Sequence, residues 1–382
     1  MSLSLPADPP LARSLTGVVP QVLGSLSGAP DWFPTARSAI VVVVDGLGRS
    51  NLTARGGHAR FLTSQMTKKD AARTVFPATT ATALTSLLTG EDAGIHGIVG
   101  YRARVPGTLS APNQLKGWET DGLDPLTWQR AEPLFEREAA AGRPVFVVSK
   151  PKYAATGFTQ AIQRGATFLP AETAEERFAA AADAAATHPG ALVYVYVPEL
   201  DTIGHARGWE SDAWVHGLES VDAGIRRLSE RAAPETGIVV TADHGMVDVP
   251  ADRQVLLRDG DALLDEVALV AGEPRLLQLY VGDDAVEGAA ERVAERWRAS
   301  EASRSWVLTR AEAVAAGLYG PVVDAEVLPR IGDVLIAARG TVAYYDDRLA
   351  DKRAQRMIGQ HGSLTDQERI VPLIRLGAFA RA

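Results

Sequence analysis

Apolar positions along the chain alternate between two textures. One is a short unbroken run of β-branched residues, as in Ala39-Ile40-Val41-Val42-Val43-Val44. Such a run suits a strand covered on both faces of a parallel sheet. Val145–Ser149, Leu192–Val197 and Gly237–Thr241 repeat it. The other texture is a helical stripe. Leu84, Leu87 and Leu88 share one face of a segment over Thr80–Thr89, with Thr79 or Thr80 at its start and Gly90 at its end. Pro133–Ala141, Glu172–Thr187 and Asp212–Ala232 also read as helices, and a shorter one covers Val19–Leu26 with Pro20 in its first turn. Asn51–Thr67 mixes helix signals with Gly56-Gly57, and Thr74-Val75-Phe76 reads as a short strand closed by Pro77. Strand and helix in alternation predict an α/β fold, with a mostly parallel central sheet and helices on both faces.

The pattern shifts twice. Residues 1–37 read as an N-terminal arm, and residues 38–382 as a single domain. Within that domain, about 251–345 reads as a small inserted α+β lobe of the βαβ type. It has strands near Arg275–Val281, Trp306–Thr309 and Asp333–Ala338, and helices near Ala285–Ala299 and Ala311–Gly317. Tyr101–Trp128, rich in Gly, Pro and polar residues, is a long surface excursion of a length that is often functional.

Composition narrows the function. Of 382 residues, 46% are hydrophobic and 23% charged, as in ordinary soluble domains. The net charge of -8, without a Lys/Arg block, argues against a grip on a nucleic acid polymer. A small phosphorylated substrate needs only local cations and stays open. The absence of cysteine excludes disulfides, thiolate metal sites, cysteine nucleophiles and a sulfatase built on a modified cysteine. It also accords with a reducing compartment. Residues 1–31 lack the cationic head and apolar core of a signal peptide, and no apolar run is long enough to span a bilayer. The expectation is a cytoplasmic protein with no membrane partner.

Three strands run into acids: Asp45 after Val41–Val44, Asp201 just past Val193–Val197, and Asp243 after Ile238–Thr241. In open α/β sheets the carboxyl ends of strands converge on one crevice. Bare acids gathered there repel one another, so a cation must accompany them. No Lys or Arg holds a matching position, but histidines do. His205 lies four residues after Asp201, His244 follows Asp243, and His361 sits in its own Gly-bounded turn. A lone Asp-x-x-x-His or His-Gly is ordinarily chance, and His58, His96, His188 and His216 read as packing or surface residues. The coincidence of three strand-end acids with histidines is what favours metals. Three Asp and three His form an N/O ligand set for two divalent ions, Zn²⁺ first and Mn²⁺ second. Two such ions about 3.5–4 Å apart can clamp both oxygens of a phosphoryl transfer. Phe76-Pro77-Ala78-Thr79-Thr80 adds a hydroxyl at a helix start, where free N–H groups suit a phosphate.

Together these motifs resemble the nucleotide pyrophosphatase/phosphodiesterase branch of the alkaline phosphatase superfamily. They are Asp45 after a strand, Phe-Pro-x-x-Thr, Asp201-x-x-Gly204-His205-x-x-Gly208, Asp243-His244-Gly245 and Gly359-x-His361-Gly362, in that order from about Ser38 to Leu376. The resemblance implies a single alkaline phosphatase-like catalytic domain. It implies one ion on Asp201, His205 and His361, and another on Asp45, Asp243 and His244. Thr80 matches the nucleophile that becomes phosphorylated; Thr79 is one place off. The implied activity is hydrolysis of a phosphodiester or nucleotide pyrophosphate, with a phosphomonoesterase, a phosphonate hydrolase or a silent nucleotide-binding protein as rivals. The segment His96-Gly97-Ile98-Val99-Gly100-Tyr101-Arg102 lacks the Asn that the diesterase branch places there. Tyr101, Arg102 and Asn113 are the candidates to replace it.

Overall fold

The structure is a computed structural model that describes residues 4–9, 11–282 and 284–381. In chain order its strands are β1 (Ser38–Val44), β2 (Ala71–Arg73), β3 (Val145–Ser149), β4 (Thr167–Pro170), β5 (Leu192–Val197) and β6 (Thr236–Thr241). They continue with β7 (Val247–Asp248), β8 (Gln254–Leu257), β9 (Leu269–Glu273), β10 (Leu276–Tyr280) and β11 (Ser305–Thr309). The last four are β12 (Val334–Ala338), β13 (Ala343–Asp346), β14 (Gly359–Gln360) and β15 (Ile370–Gly377). Seven of them form the central sheet in the order β2-β15-β6-β1-β5-β3-β4. Only β15 runs against its neighbours, pairing antiparallel with both β6 and β2.

All seven residues of β1 are buried, as an uninterrupted apolar run in mid-sheet requires. Its register sets the site. Val44 lies beside Val197 of β5, and Val43 beside Thr241 of β6. The three strands therefore end at one level, and the residues that follow emerge together. Helices pack in two groups. Val18–Leu26, Thr80–Thr89, Leu134–Ala140 and Gly157–Gln163 form one, while Arg60–Ser64, Ala174–Thr187, Glu199–Arg207 and Asp212–Arg231 form the other. The sheet lies between them, so the mostly parallel α/β architecture is the one the alternation predicts. Leu15, Val18, Val19 and Val22, from the stretch read as an arm, are buried in the main core.

Several local expectations are corrected. The strand expected at Thr74–Phe76 lies instead at Ala71–Arg73, because its partner β15 begins at Ile370, opposite Arg73. β15 itself was hidden by Pro372 and Arg375, which break its apolar run. The helices Gly157–Gln163 and Glu199–Arg207 and the edge strand β4 went unread as well. In Glu199–Arg207 only Leu200 and Gly204 are buried, so no apolar stripe announces it.

The second sheet has the order β11-β12-β10-β9, with every pair antiparallel. The Ala289–Glu301 helix joins β10 to β11. Those two strands run the same way but are separated by β12, so the expected βαβ unit is a split one. β8 and β13 pair in parallel at the entry to and exit from this region. Trp297, Val293, Ile336 and Tyr344 give it a core of its own. A further cluster joins Phe76 and Val99 to Leu276 and Leu335, seating the second sheet beside the Phe76–Thr80 segment. The excursion 101–128 holds no helix or strand beyond an isolated Arg102–Asn113 bridge, yet Trp118 and Leu123 anchor it in the main core.

Candidate metal centre

The candidate ligands stand just beyond strand ends or on the helix that follows one. Asp45 follows β1. Gly46 then takes φ 73°, a left-handed conformation that glycine tolerates, and any Cβ there would lie 3.2 Å from Cα and Cβ of Asp201. That turn lets the two acids approach. Asp201 and His205 sit one helical turn apart on Glu199–Arg207 and so share a face. Asp243 and His244 follow β6. His361 follows β14, which pairs with β7 just beyond His244 and thereby draws the two histidine turns together.

The side chains meet. Ligand atoms of Asp45, Asp243 and His244 all lie within 4.8 Å of one another, and so do those of Asp201, His244 and His361. His244 thus stands between both groups. Its Nε2 is 3.4 Å from Asp45 Oδ1 and 3.4 Å from Asp243 Oδ2. His205 lies outside either mutual group, but its Nε2 is 3.3 Å from Asp201 Oδ1 and its ring centre 5.2 Å from that of His361. His361 Nε2 is 3.8 Å from the same Asp201 oxygen.

The outer contacts orient every ring the same way. Nδ1 of His205 lies 2.7 Å from Gly359 O, that of His244 3.1 Å from Gly245 O, and that of His361 2.9 Å from Ala78 O. A carbonyl can only accept, so Nδ1 carries the proton and Nε2 offers its lone pair inward. The acids are similarly divided. Asp243 Oδ1 accepts from the Gly46 and His244 N–H groups, and Asp45 Oδ2 accepts from the Tyr196 hydroxyl. Asp45 Oδ1, Asp201 Oδ1 and Asp243 Oδ2 are buried without any hydrogen-bond partner. Among the described residues no Lys or Arg pairs with these three acids. Buried carboxylate oxygens left bare cost free energy. Three inward imidazole nitrogens beside them form a donor set that fits divalent cations.

Burial and like neighbours shift the groups of this crevice. Burial, followed by the neighbouring Asp201 and Asp243, pushes the Asp45 carboxyl well above the usual carboxylate range. Burial, followed by His244 and His205, holds His361 well below the usual imidazole value.

Thr80 is the first residue of the Thr80–Thr89 helix, and its Oγ1 lies 3.1 Å from His244 Nε2. Thr79, the preceding residue, is near the carboxyl of Glu273 at the end of β9. Glu273 also accepts from the Tyr101 N–H, and burial pushes it up to about 8. Neither Glu273 nor Tyr196 was singled out by sequence. Tyr196 offered only its place near the carboxyl end of β5, and Glu273 offered no signal. Of the candidates for the missing Asn, Asn113 Oδ1 is engaged by the Leu115 and Lys116 N–H groups of its own turn, and Arg102 Nε donates to Ala111 O. His96 is buried, bonded to Ser86 and to the Ile98 N–H, and held down to about 3 by burial, while His58 pairs with Glu219 at the surface.

Solved structures place this architecture in a class. Phosphonoacetate hydrolase from Sinorhizobium meliloti 1021, in complex with phosphonoacetate, matches with a TM-score of 0.67 at 20% identity, covering 90% of this chain and 91% of that chain. Murine ectonucleotide pyrophosphatase/phosphodiesterase 5 matches with a TM-score of 0.66 at 18% identity, covering 88% and 87%. An inactive threonine-to-alanine form of the murine protein, in complex with AMP, matches with a TM-score of 0.67 at 18% identity, covering 90% and 88%. The fold is that of the alkaline phosphatase-like hydrolases. Residues 39–364 match the family model for type I phosphodiesterase/nucleotide pyrophosphatase, and the chain belongs to that family. No curated protein sequence matches it. Membership of that family indicates a hydrolase of phosphoester bonds. Among the described residues no helix is long and apolar enough to cross a membrane.

Proposed function

We propose that the protein is a two-metal phosphodiesterase or nucleotide pyrophosphatase acting on a small phosphorylated substrate, with Thr80 as its nucleophile. Asp45, Asp243 and His244 would hold one divalent ion, and Asp201, His205 and His361 the other, Zn²⁺ before Mn²⁺. The observation that carries this reading is the set of three partnerless buried carboxylate oxygens gathered around His244, whose Nε2 also lies against the Thr80 hydroxyl. When bound, such ions make a hydroxyl nucleophilic at neutral pH and neutralise charge on the phosphoryl and leaving oxygens.

The chain's own groups do the rest. Thr80 Oγ1 gives up its proton to the departing oxygen or to solvent and attacks phosphorus in line as the bond to the leaving ester oxygen breaks, giving phospho-threonine. Water then attacks the same phosphorus from the vacated side, the Oγ1–P bond breaks, and Thr80 regains its proton. Two inversions retain configuration. The unpaired N–H groups in the first turn of Thr80–Thr89 face the developing charge. That a threonine-to-alanine form of the murine neighbour is inactive supports this assignment.

Phosphonate cleavage is the second reading, favoured by one observation. Lys152 Nζ lies 4.9 Å from the ring centre of Tyr153, which packs edge-on to Tyr196, the residue that donates to Asp45. Lys150, by contrast, is tied to Glu199 at 3.1 Å. Lys152 thus stands two aromatic rings away from Asp45, a cation of the kind that would suit a leaving group carrying a carboxylate. Turnover of bis(4-nitrophenyl) phosphate, 4-nitrophenyl phosphate and phosphonoacetate by the Zn²⁺- or Mn²⁺-loaded protein separates the readings. The diester should be preferred at least about tenfold. Preference for phosphonoacetate moves the assignment to the second reading, and nucleotide binding without turnover of any substrate would make the protein a silent binder.

A further inference from the structure

Two histidine turns, His361-Gly362-Ser363 and His244-Gly245, come from distant parts of the chain and need something to hold them in register. Glu368 holds both. Its Oε1 accepts the Ser363 N–H at 3.0 Å, and its backbone carbonyl accepts the Gly245 N–H at 2.9 Å. Glu368 is in turn gripped by Arg275, which sits in the β9–β10 hairpin of the second sheet. Arg275 Nε reaches Oε1 at 3.0 Å and Nη2 reaches Oε2 at 2.7 Å, a bidentate pair with both side chains fully buried.

The remaining guanidinium donors go to Gly340 O, Val342 O and Ala338 O, so all five N–H groups of Arg275 are engaged. The Ser363 hydroxyl donates to the same Ala338 carbonyl at 2.6 Å. Two residues before Arg275, the Glu273 side chain lies against the opposite side of the turn. A Cβ on Gly362, whose φ is 128°, would come within 2.6 Å of Glu273 Cγ. The tip of one hairpin therefore presses on Gly362 and, through Glu368, ties down Ser363 and Gly245.

A buried ion pair is weak evidence for stability by itself, because apolar residues of similar volume often do as well. What this pair adds is geometry. It fixes an N–H two residues from His361, and the residue it anchors holds another next to His244 through its backbone carbonyl. Support behind a ligand typically changes metal affinity by about 10- to 100-fold.

We propose that Arg275 and Glu368 are positioning residues through which the second sheet sets the placement of His361 and His244. The proposal rests on the metal reading above, and its test separates the two. The full chain is compared as wild type, as Arg275→Met with Glu368→Leu, and as Arg275→Lys. Zn²⁺ affinity is measured by chelator competition, the histidine tautomers of the metal-free protein by nitrogen NMR, and folding by thermal melting.

The double variant replaces the pair with apolar side chains but leaves the Gly340 and Val342 carbonyls and the Ser363 N–H without partners, so it should melt below the wild type, and its affinity is read at a temperature where melting shows it folded. Its affinity for Zn²⁺ should fall about 10- to 100-fold, and the His361 ring should change from one Nδ1–H tautomer to a mixture. Arg275→Lys keeps the charge but not the fork, and should show a smaller loss in the same direction. Affinity within twofold of wild type together with unchanged tautomers would reduce the pair to a structural contact and overturn the proposal. Should the double variant fail to fold, Arg275→Lys decides by the same two readouts. A wild type that binds no divalent ion ends the metal reading itself, and the positioning role with it.

Discussion

The imidazoles of His244 and His361 lie face to face, their ring centres 3.5 Å apart and their planes 12° from parallel. Each turns Nδ1 to a backbone carbonyl and Nε2 toward the same acids. Inward lone pairs beside three carboxylates repel one another unless a cation lies among them. The metal-free protein should therefore be held below its attainable stability by its own site. Asp243→Asn removes one charge while keeping the oxygen that accepts from Gly46 and His244. Without metal it should be more stable than wild type by on the order of 1–3 kcal/mol. With Zn²⁺ at a hundredfold excess over its Kd, wild type should gain about 2.7 kcal/mol and the variant much less. Chemical denaturation with and without chelator reads both, and the variant's advantage should shrink by about 2 kcal/mol or more when Zn²⁺ is present. A variant less stable than wild type in both states would mean that the acids do not strain the metal-free protein.

The two adjacent threonines have different neighbours. Thr80 Oγ1 lies 3.1 Å from His244 Nε2, whereas Thr79 is near Glu273. Thr80→Ala should lower turnover by at least about a thousandfold, as loss of a nucleophile does, while the protein still takes up metal. Thr79→Ala should lose less than about tenfold, the scale of one hydrogen bond. Single-turnover assays with a chromogenic diester, alongside metal analysis, distinguish the two. Equal losses would give both hydroxyls comparable parts.

Glu273 supplies a pH dependence of known sign. Burial is the main reason its carboxyl is pushed from 4.5 up to about 8, with Glu368 adding to it and the Tyr101 N–H and Thr79 opposing. Below pH 4.5 the folded and unfolded chains are both protonated here, and the group contributes no slope. Between 4.5 and about 8 the unfolded chain has lost this proton and the folded chain keeps it, so stability falls as pH rises. The slope is at most about 1.4 kcal/mol per pH unit. Glu273→Gln has no such proton. In urea titrations of the metal-free proteins the difference in favour of the variant should widen from pH 5 to 8 and level off above. Parallel pH profiles would show that the carboxyl ionises in its ordinary range.

How much of this was legible beforehand depends on how the chain signals burial. Val41–Val44 and Val193–Val197 are unbroken apolar runs, so their ends and the acids Asp45 and Asp201 could be placed from sequence. Ile370–Gly377 is as central but carries Pro372 and Arg375, and its partner β2 is only three residues long. Neither has a readable period. Asp201 and His205 were paired by spacing although their helix was unread, since four residues apart means one face on a helix. Arg275–Glu368 had no local sign at all. Its partners are 93 residues apart, and only the folded chain brings them together. Tyr101, Arg102 and Asn113 looked interchangeable until Asn113 was found occupied by its own turn.

Tyr196 is the last of these hidden contributors, and it gives a prediction about metal affinity. It is the donor to Asp45 Oδ2, and that bond lies on the far side of the carboxyl from the partnerless Oδ1. It turns the carboxyl so that Oδ1 faces Asp243 and His244. Tyr196 precedes Val197, the last residue of β5, whose carbonyl accepts the Asp45 N–H at 3.0 Å, so backbone and side chain fix the same acid. Tyr196→Phe keeps the ring that packs against Tyr153 and removes only the hydroxyl. The second Asp45 oxygen would lose its partner, at a cost of about 1–3 kcal/mol in the metal-free protein. Freed to rotate, the carboxyl should bind metal about 10- to 100-fold more weakly, as when an outer partner of a ligand is removed. The loss should fall on one ion of two, because Asp201 and His361 have no contact with the tyrosine hydroxyl. Stepwise Zn²⁺ titration against a competing chelator would show one weakened and one unchanged step. Uniform weakening of both steps would argue that the hydroxyl supports the whole crevice instead of Asp45 alone.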